Sequence, residues 1–202
     1  MKNRHPVLIL VSFVVLLAIL ACSNQPAPNV PPTATAISMT SYTDETGVIT
    51  VSLPSDWTDV DGSASYSNST KVSQLVATTN MEKFNDYSGS GIVIWVARTT
   101  AKDPKEMINL ATNKASSIFF DASCENFYDH TYYDRVYDGK KQMFNDCNNF
   151  DNILILLVSR LAKTDVVVSV MMNLSPGVPS SEADALFKSI LASLKVDSSL
   201  VP

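Results

Sequence analysis

The residues best suited to chemistry in this chain of 202 residues are its three cysteines. Cys22 ends an apolar run near the start of the chain, whereas Cys124 and Cys147 both lie in its second half. A thiol can carry a lipid, form a disulfide or bind a metal. The residues around each cysteine in the sequence therefore indicate which of these roles it has.

Cys22 follows a segment with the parts of an export signal in order. Lys2 and Arg4 form a basic start, and residues 7–21 are an apolar run in which only Ser12 is polar. The run is shorter than the roughly 20 residues that cross a bilayer. Residues 1–21 therefore predict a signal peptide, with an uncleaved membrane anchor as the alternative.

The end of this leader, Ile19-Leu20-Ala21-Cys22, resembles the lipobox of bacterial lipoproteins. In that family the cysteine sulfur receives a diacylglyceryl group and the bond before the cysteine is cut. The resemblance implies an exported chain that is lipid-anchored through Cys22 to the outer face of the cell membrane, or to an outer membrane if one is present. Acyl chains anchor a protein because each buried CH₂ contributes about 0.8 kcal/mol.

In the oxidising compartment that export implies, Cys124 and Cys147 are predicted to form a disulfide. In the chain-entropy model, a loop of this length contributes roughly 3 kcal/mol. Metal ligation is the alternative, but two cysteines and one nearby histidine fall short of the four ligands of a structural zinc site. Neither a metal nor another cofactor is predicted.

Candidates for catalysis are few. His130 is the only histidine after the leader, so a Ser–His or Cys–His nucleophile would have to use it. No serine lies in a G-x-S-x-G turn. Five acids near the first strand are interpreted as turn residues that bond nearby amides: Asp44, Glu45, Asp56, Asp59 and Asp61. The chain is predicted not to be an enzyme; a surface hydrolase that uses carboxylates or His130 is the alternative.

A run of oxygen-bearing side chains surrounds the last cysteine: Asp146, Asn148, Asn149, Asp151 and Asn152. Calcium prefers such ligands, but the ligand and glycine positions of the D-x-[DN]-x-[DN]-G loop are not met. The run is therefore interpreted as a polar hairpin loop.

Aromatic residues are the one hint of a binding face: Tyr128, His130, Tyr132, Tyr133 and Tyr137. Tyrosine offers amphipathic area suited to sugars or protein partners. Because side chains alternate along a strand, part of the set could instead be core. The sequence leaves both interpretations open.

Charge narrows the choice of partner. The formal net charge is −5, and without residues 1–21 the chain keeps 13 basic and 20 acidic residues. An acidic surface repels nucleic acid and anionic lipid headgroups alike. No nucleic acid partner is predicted, and contact with the membrane is expected through the lipid anchor.

Patterning divides the chain into four parts. The leader is followed by lipidated Cys22 and a Pro/Thr-rich disordered linker over 22–41, a domain over 42–197 and a tail over 198–202. In the domain, a helical turn is expected at 81–87 and helices from 103 and 181. Strands are expected over 47–53, 71–79, 91–98, 132–137, 141–145, 153–161 and 165–173, with a hairpin turn at Asp138-Gly139. The fold class is α/β (α+β), mainly an antiparallel sheet flanked by helices.

The phrase YTDETGVITVSLPSDWTDVDG, the pair Cys124 and Cys147 and the closing helix that runs into LASLKV resemble the PsbP/Mog1-like group, of the LpqN type. The resemblance implies an antiparallel sheet flanked by helices. It also implies a non-catalytic binding or accessory module that meets a protein or envelope component. No catalytic residues come with it. A structural spacer without a ligand is a third possibility.

Overall fold

The computed structural model describes residues 37–67, 70–99, 124–147 and 151–202, with no side-chain detail at 67, 70 and 125–130. The signal peptide predicted over 1–21, the lipidation predicted at Cys22 and most of the predicted linker lie outside these residues. The helix predicted from residue 103 lies outside them as well.

Two antiparallel sheets make up most of the described chain. The smaller has the order β1-β2-β11, with β1 at Met39–Thr43, β2 at Ile49–Pro54 and β11 at Lys195–Val196. The larger has the order β3-β5-β6-β10-β9-β8-β7, and β4 also pairs with β5. Its strands are β3 Asp59–Asp61, β4 Ser65–Ser67, β5 Thr70–Thr78, β6 Gly91–Arg98, β7 Glu125–Tyr133, β8 Tyr137–Asn145, β9 Ile153–Leu161 and β10 Val166–Leu174.

Two helices accompany the sheets within the described ranges: α1 at Met81–Asn85 and α2 at Ser180–Ser193. Both were expected from the sequence. Asn80 caps α1 by accepting the backbone N–H of Lys83 at 2.9 Å. Neither helix combines the length and apolarity that would let it span a bilayer.

One face of the large sheet packs against α2 and the small sheet. Phe187 and Ile190 of α2 are fully buried there beside Ile94 and Leu157 of the sheet. The other face carries a second apolar cluster that includes Val93. Residues of β6 thus face both clusters, so this apolar strand is covered on both sides.

A disulfide joins Cys124 to Cys147 and so ties the start of β7 to the end of β8. Cys147 is fully buried in the second apolar cluster. The bond links the edge strand β7 to its neighbour β8 at the end of the hairpin that lies away from the β7–β8 turn.

The hairpin turn predicted at Asp138-Gly139 is wrong. The chain turns between β7 and β8 at 134–136, where Asp134 Oδ1 accepts the backbone N–H groups of Val136 and Tyr137, both at 2.7 Å. Gly139 lies inside β8. The position requires glycine because a Cβ there would stand 2.1 Å from the carbonyl oxygen of Val158 on β9. The glycine allows β8 and β9 to approach closely, which is a common reason for glycine in the interior of a strand.

Both ends of the domain extend beyond the predicted limits. β1 begins at Met39, inside the predicted linker, and pairs there with Pro54 of β2. The predicted tail packs on the domain: Val201 is 6% exposed, and Arg98 donates to its carbonyl oxygen at 3.3 Å. Arg98 also donates to the carbonyl oxygen of Ser198 at 2.8 Å. Backbone pairing and one buried valine order these segments despite their weak sequence patterns.

Candidate functional site

A groove of about 190 Å³ lies between the β7–β8 turn and α2. We refer to it as the α2 groove; it is lined by Tyr132, Asp134, Val136, Tyr137, Lys188, Leu191, Ala192 and Leu194. Tyr137 and Leu191 are 2% and 5% exposed, so part of the lining belongs to the core. An apolar floor with polar groups at its sides is the usual composition of a binding site.

Helical spacing and the turn explain how the sequence builds the α2 groove. Lys188, Leu191 and Ala192 stand three and four residues apart, which places them on one face of α2. The opposite wall comes from the turn that Asp134 closes. The lining residues therefore come from two places: the β7–β8 turn with the adjoining ends of its two strands, and α2 with the residue that follows it.

Asp134 holds its wall of the groove through three hydrogen bonds. Besides the two backbone N–H groups of the turn, its Oδ2 accepts the hydroxyl of Tyr132 at 2.9 Å. Burial opposes the charge, but these N–H and O–H donors lower the pKa of Asp134. Burial, and secondarily the bond to Asp134, raises the pKa of Tyr132 to about 12. Both pKa shifts lead away from neutrality, where general acid–base catalysis works best.

Beside the groove, Lys141, Asp184 and Lys188 form what we call the lysine–aspartate cluster. The Lys141 side chain is 3% exposed and its ammonium bonds Asp184; the same carboxylate meets Lys188 at 2.7 Å. Burial disfavours the charged carboxylate, yet the bonds from both lysines leave the pKa of Asp184 lowered. Lys141 Nζ also lies 5.0 Å from the ring centre of Phe187, a cation–π distance. α2 is thereby pinned to β8.

The sequence missed most of this cluster. Pro179 occupies the N-cap position of α2, and Asp184, inside the helix, bonds Lys141 and Lys188. The spacing of Asp184 and Lys188 as i and i+4 on a helix could have predicted their ion pair. Nothing in the strand pattern around Lys141 could have predicted that it is buried.

The three described side chains of the predicted binding face, those of Tyr132, Tyr133 and Tyr137, do not lie on one surface. Tyr137 is buried, and its hydroxyl donates to the carbonyl oxygen of Leu194 at 3.3 Å. Tyr137 therefore belongs to the core, one of the two interpretations that the sequence left open, and its ring also lines the groove floor. Tyr132 is half-buried in the groove wall. Tyr133 is 78% exposed and, as the next residue along β7, belongs to the opposite face of the sheet.

The remaining two residues of that set are placed by backbone pairing alone. Tyr128 pairs with Met143, and His130 pairs with Lys141. Their side chains lie outside the described part of the structure, so a role for His130 stays a hypothesis.

Asp44 and Asp61 behave as turn residues, as the sequence indicated, whereas Asp59 lies in β3 and bonds the first residue of α1. Asp44 Oδ1 accepts the backbone N–H of Ile49 at 2.7 Å. Asp61 and Asp59 accept the N–H groups of Ser63 and Met81 at 2.8 and 2.9 Å. Within the described ranges, no three histidine, cysteine or acidic side chains stand close enough to hold a metal ion.

Asn152, expected in a polar loop, is instead 1% exposed and belongs to an asparagine network with Asn173. Asn152 Nδ2 donates to the carbonyl oxygen of Tyr87 at 3.0 Å and to Asn173 Oδ1 at 2.8 Å. Its Oδ1 accepts the N–H of Cys147 at 2.9 Å. The network closes the core beside a second cavity of about 240 Å³, which is lined by Met143, Phe144, Asn145, Asp151, Asn152, Ile153, Val178 and Ser180.

No family model matches the sequence, and comparison with curated proteins gives no match. Among solved structures, the Ran-binding protein Mog1p of Saccharomyces cerevisiae is similar, with 14% identity and a TM-score of 0.50, over 83% of this chain and 100% of that one. Cyanobacterial PsbP from Synechocystis sp. PCC 6803 is similar with 9% identity and a TM-score of 0.50, over 81% and 95% of the two chains. At such identities the likeness speaks to fold alone. The predicted fold class is confirmed: the chain has a mainly antiparallel α+β fold of the PsbP/Mog1 type.

Proposed function

We propose that this protein is an exported lipoprotein of the LpqN type that binds a protein or an envelope component and catalyses no reaction. Lipid on Cys22 would hold it at the outer face of the cell membrane, or at an outer membrane where one is present. The domain would then be displayed outside the cytoplasm at the end of the proline-rich linker.

The disulfide between Cys124 and Cys147 is the observation that carries this proposal. Disulfides persist in oxidising compartments and are rare in the cytosol. The predicted leader and lipobox, which stand on other residues, favour the same compartment. Two independent features of the chain thus support export.

The α2 groove supports the binding role. It joins a buried apolar floor to polar walls, and its acid and its tyrosine have pKa values shifted away from neutrality. Such groups suit contact with a partner better than proton transfer. The fold is also compatible with a protein partner, since the yeast protein of the same fold is a Ran-binding protein.

Membrane fractionation and intact mass test the anchor. The native full chain should sediment with membranes, begin at Cys22 and carry the mass of its acyl groups. Cys22→Ser should leave the membrane fraction, whereas the matched double variant Cys124→Ser/Cys147→Ser should keep its lipid. The oxidised protein should show no alkylatable thiol. A Cys22→Ser protein that loses its leader and still sediments fully would contradict the anchor.

Photo-cross-linking in whole cells tests the binding role. A photoreactive residue at Tyr66, Tyr133 or Ala192, which are exposed positions on different parts of the domain, should join the protein to a recurring partner. The proposal fails if cross-linking at none of these positions yields one.

A further inference from the structure

We infer that a second copy of this protein pairs with the outer edge of β7, antiparallel and about a twofold axis at Thr131. The inference goes beyond the proposed function, because it assigns a second copy of the chain to an edge of the large sheet. It depends on three properties of β7: its open edge, its composition and its symmetry.

The outer edge of β7 leaves a row of backbone groups for another strand. The N–H of Asp134 donates to the carbonyl oxygen of Tyr137 at 2.9 Å, so β7 and β8 exchange bonds at this pair and at alternate pairs before it. The N–H and C=O groups of Asp129, Thr131 and Tyr133 therefore point away from β8. Among the strands that the structure describes, β8 is the only neighbour of β7. Thr131 is exposed and Tyr133 is 78% exposed, so neither side chain is covered.

The composition of β7 does not protect this edge. β7 is nine residues long, whereas β3 at the other edge of the large sheet has three. Long edge strands are normally blunted by proline, lysine or a bulge. β7 contains neither proline nor lysine, and its bulge at Asn126–Tyr128 lies outside residues 129–133. This stretch, held by the disulfide at one end and the turn at the other, is therefore an ordered template for one more strand.

The symmetry of the stretch indicates that the added strand is β7 of a second copy. With the twofold axis at Thr131, this residue pairs with its own counterpart, and Asp129 pairs with Tyr133. All three outward residues of both copies then exchange backbone hydrogen bonds, and each copy supplies a strand rich in tyrosine, which favours sheets. The two Asp129 residues stand about 13 Å apart along the strands, beyond the screening length of roughly 8 Å. The pairing therefore satisfies both edges without placing like charges opposite each other.

Cysteine cross-linking in intact cells that make the full chain tests this pairing. Opposite residues of such a pair have Cα atoms about 5.5 Å apart, which is within disulfide range. Thr131→Cys should therefore form a dimer of twice the chain mass on a non-reducing gel. The matched control Tyr66→Cys, at a 72% exposed position on β4, should give at least tenfold less dimer. Asp129→Cys and Tyr133→Cys should cross-link at least fivefold more when they are co-expressed than either does alone.

A proline at the edge separates strand pairing from simple proximity. Tyr133→Pro removes an outward N–H and no bond to β8, so the chain should remain folded, with a urea midpoint close to the native one. In the Thr131→Cys background, Tyr133→Pro should lower the amount of dimer at least tenfold. Tyr133→Val keeps the N–H and should leave the amount of dimer within twofold.

The outcomes separate this inference from the proposed function. A Thr131→Cys dimer no stronger than that of Tyr66→Cys overturns the pairing, as does one that survives Tyr133→Pro in a folded chain. If Tyr133→Pro unfolds the chain, the pattern over the cysteine positions still decides. A cross-link from Thr131→Cys to a protein of another mass also overturns the inference, because the occupant would be a different partner. The binding role is tested separately and fails only if photo-cross-linking joins the chain to no other protein.

Discussion

Two polar clusters inside this domain differ in charge and in access to water. The asparagine network is neutral, with Asn152 and Asn173 1% and 0% exposed. Asn173 Nδ2 donates to the carbonyl oxygens of Tyr87 at 3.0 Å and Gly89 at 2.7 Å. These bonds hold the loop after α1 against the ends of the central strands, where water cannot replace them.

The lysine–aspartate cluster is ionic and reaches the surface in steps. The side chains of Lys141, Asp184 and Lys188 are 3%, 29% and 65% exposed. The comparison shows that a sealed neutral network contributes mainly to stability. A graded ionic cluster can also present charge to a partner, at a smaller cost if it is broken.

The largest expected effect is on the asparagine network. Asn173→Leu removes the donor to the Gly89 carbonyl and the acceptor of Asn152 Nδ2, whereas the Tyr87 carbonyl keeps its bond from Asn152. Loss of a partner costs a buried polar group about 1–3 kcal/mol. We expect the free energy of unfolding in urea to fall by roughly 3 kcal/mol. Asn85→Leu, at an exposed position on α1, is the matched control and should change it little. A similar loss in both variants would remove the distinction between the two clusters.

A smaller effect is expected from the ionic cluster. Lys141→Met keeps the buried stem, and Asp184 retains Lys188 and some contact with water. The loss should therefore be about 1 kcal/mol, below the 3–5 kcal/mol of breaking a fully buried pair. Lys188→Met should cost less still, about 0.3 kcal/mol, because exposed ion pairs contribute little. The comparison is wrong if Lys141→Met destabilises the chain more than Asn173→Leu does.

The smallest effect concerns pH and sharpens the comparison. Because the lysine bonds outweigh burial, the pKa of Asp184 in the folded state is lowered. Its contribution is therefore complete above the unfolded value of about 3.9 and is lost as pH falls through the folded value. The free energy of unfolding in urea should be measured for the native chain and for Asp184→Asn at pH 5 and at lower pH. The difference between the two proteins should shrink as the pH falls. The effect of Asn173→Leu, which involves no titrating group, should stay constant over the same range.

Much of the sheet could be predicted because alternation and apolar runs are local signals. The predicted run at 153–161 coincides with β9, and the run at 91–98 coincides with β6. The turn between β7 and β8 could not be predicted as easily. Asp138-Gly139 has the stronger hairpin signal, but the nearness of β9 requires that glycine inside a strand.

In the α2 groove as well, some features could be predicted from the sequence and others could not. Tyr132 and Tyr137 were singled out as aromatic residues, but their different depths follow from the helix that packs over β8. Lys141 carried no signal, because a lysine in a strand ordinarily faces water. Only the approach of Asp184 and Phe187 from α2 makes its burial favourable.

Local patterns along the chain were enough to predict the antiparallel sheet and the closing helix, because both depend on residues that are close in sequence. The disulfide could be predicted from the oxidising compartment that the leader implies. Long-range packing set the burial of Tyr137, the role of Gly139 and the pairing of Asp184. These three features depend on which strand or helix packs against the residue, and the tertiary fold determines that neighbour.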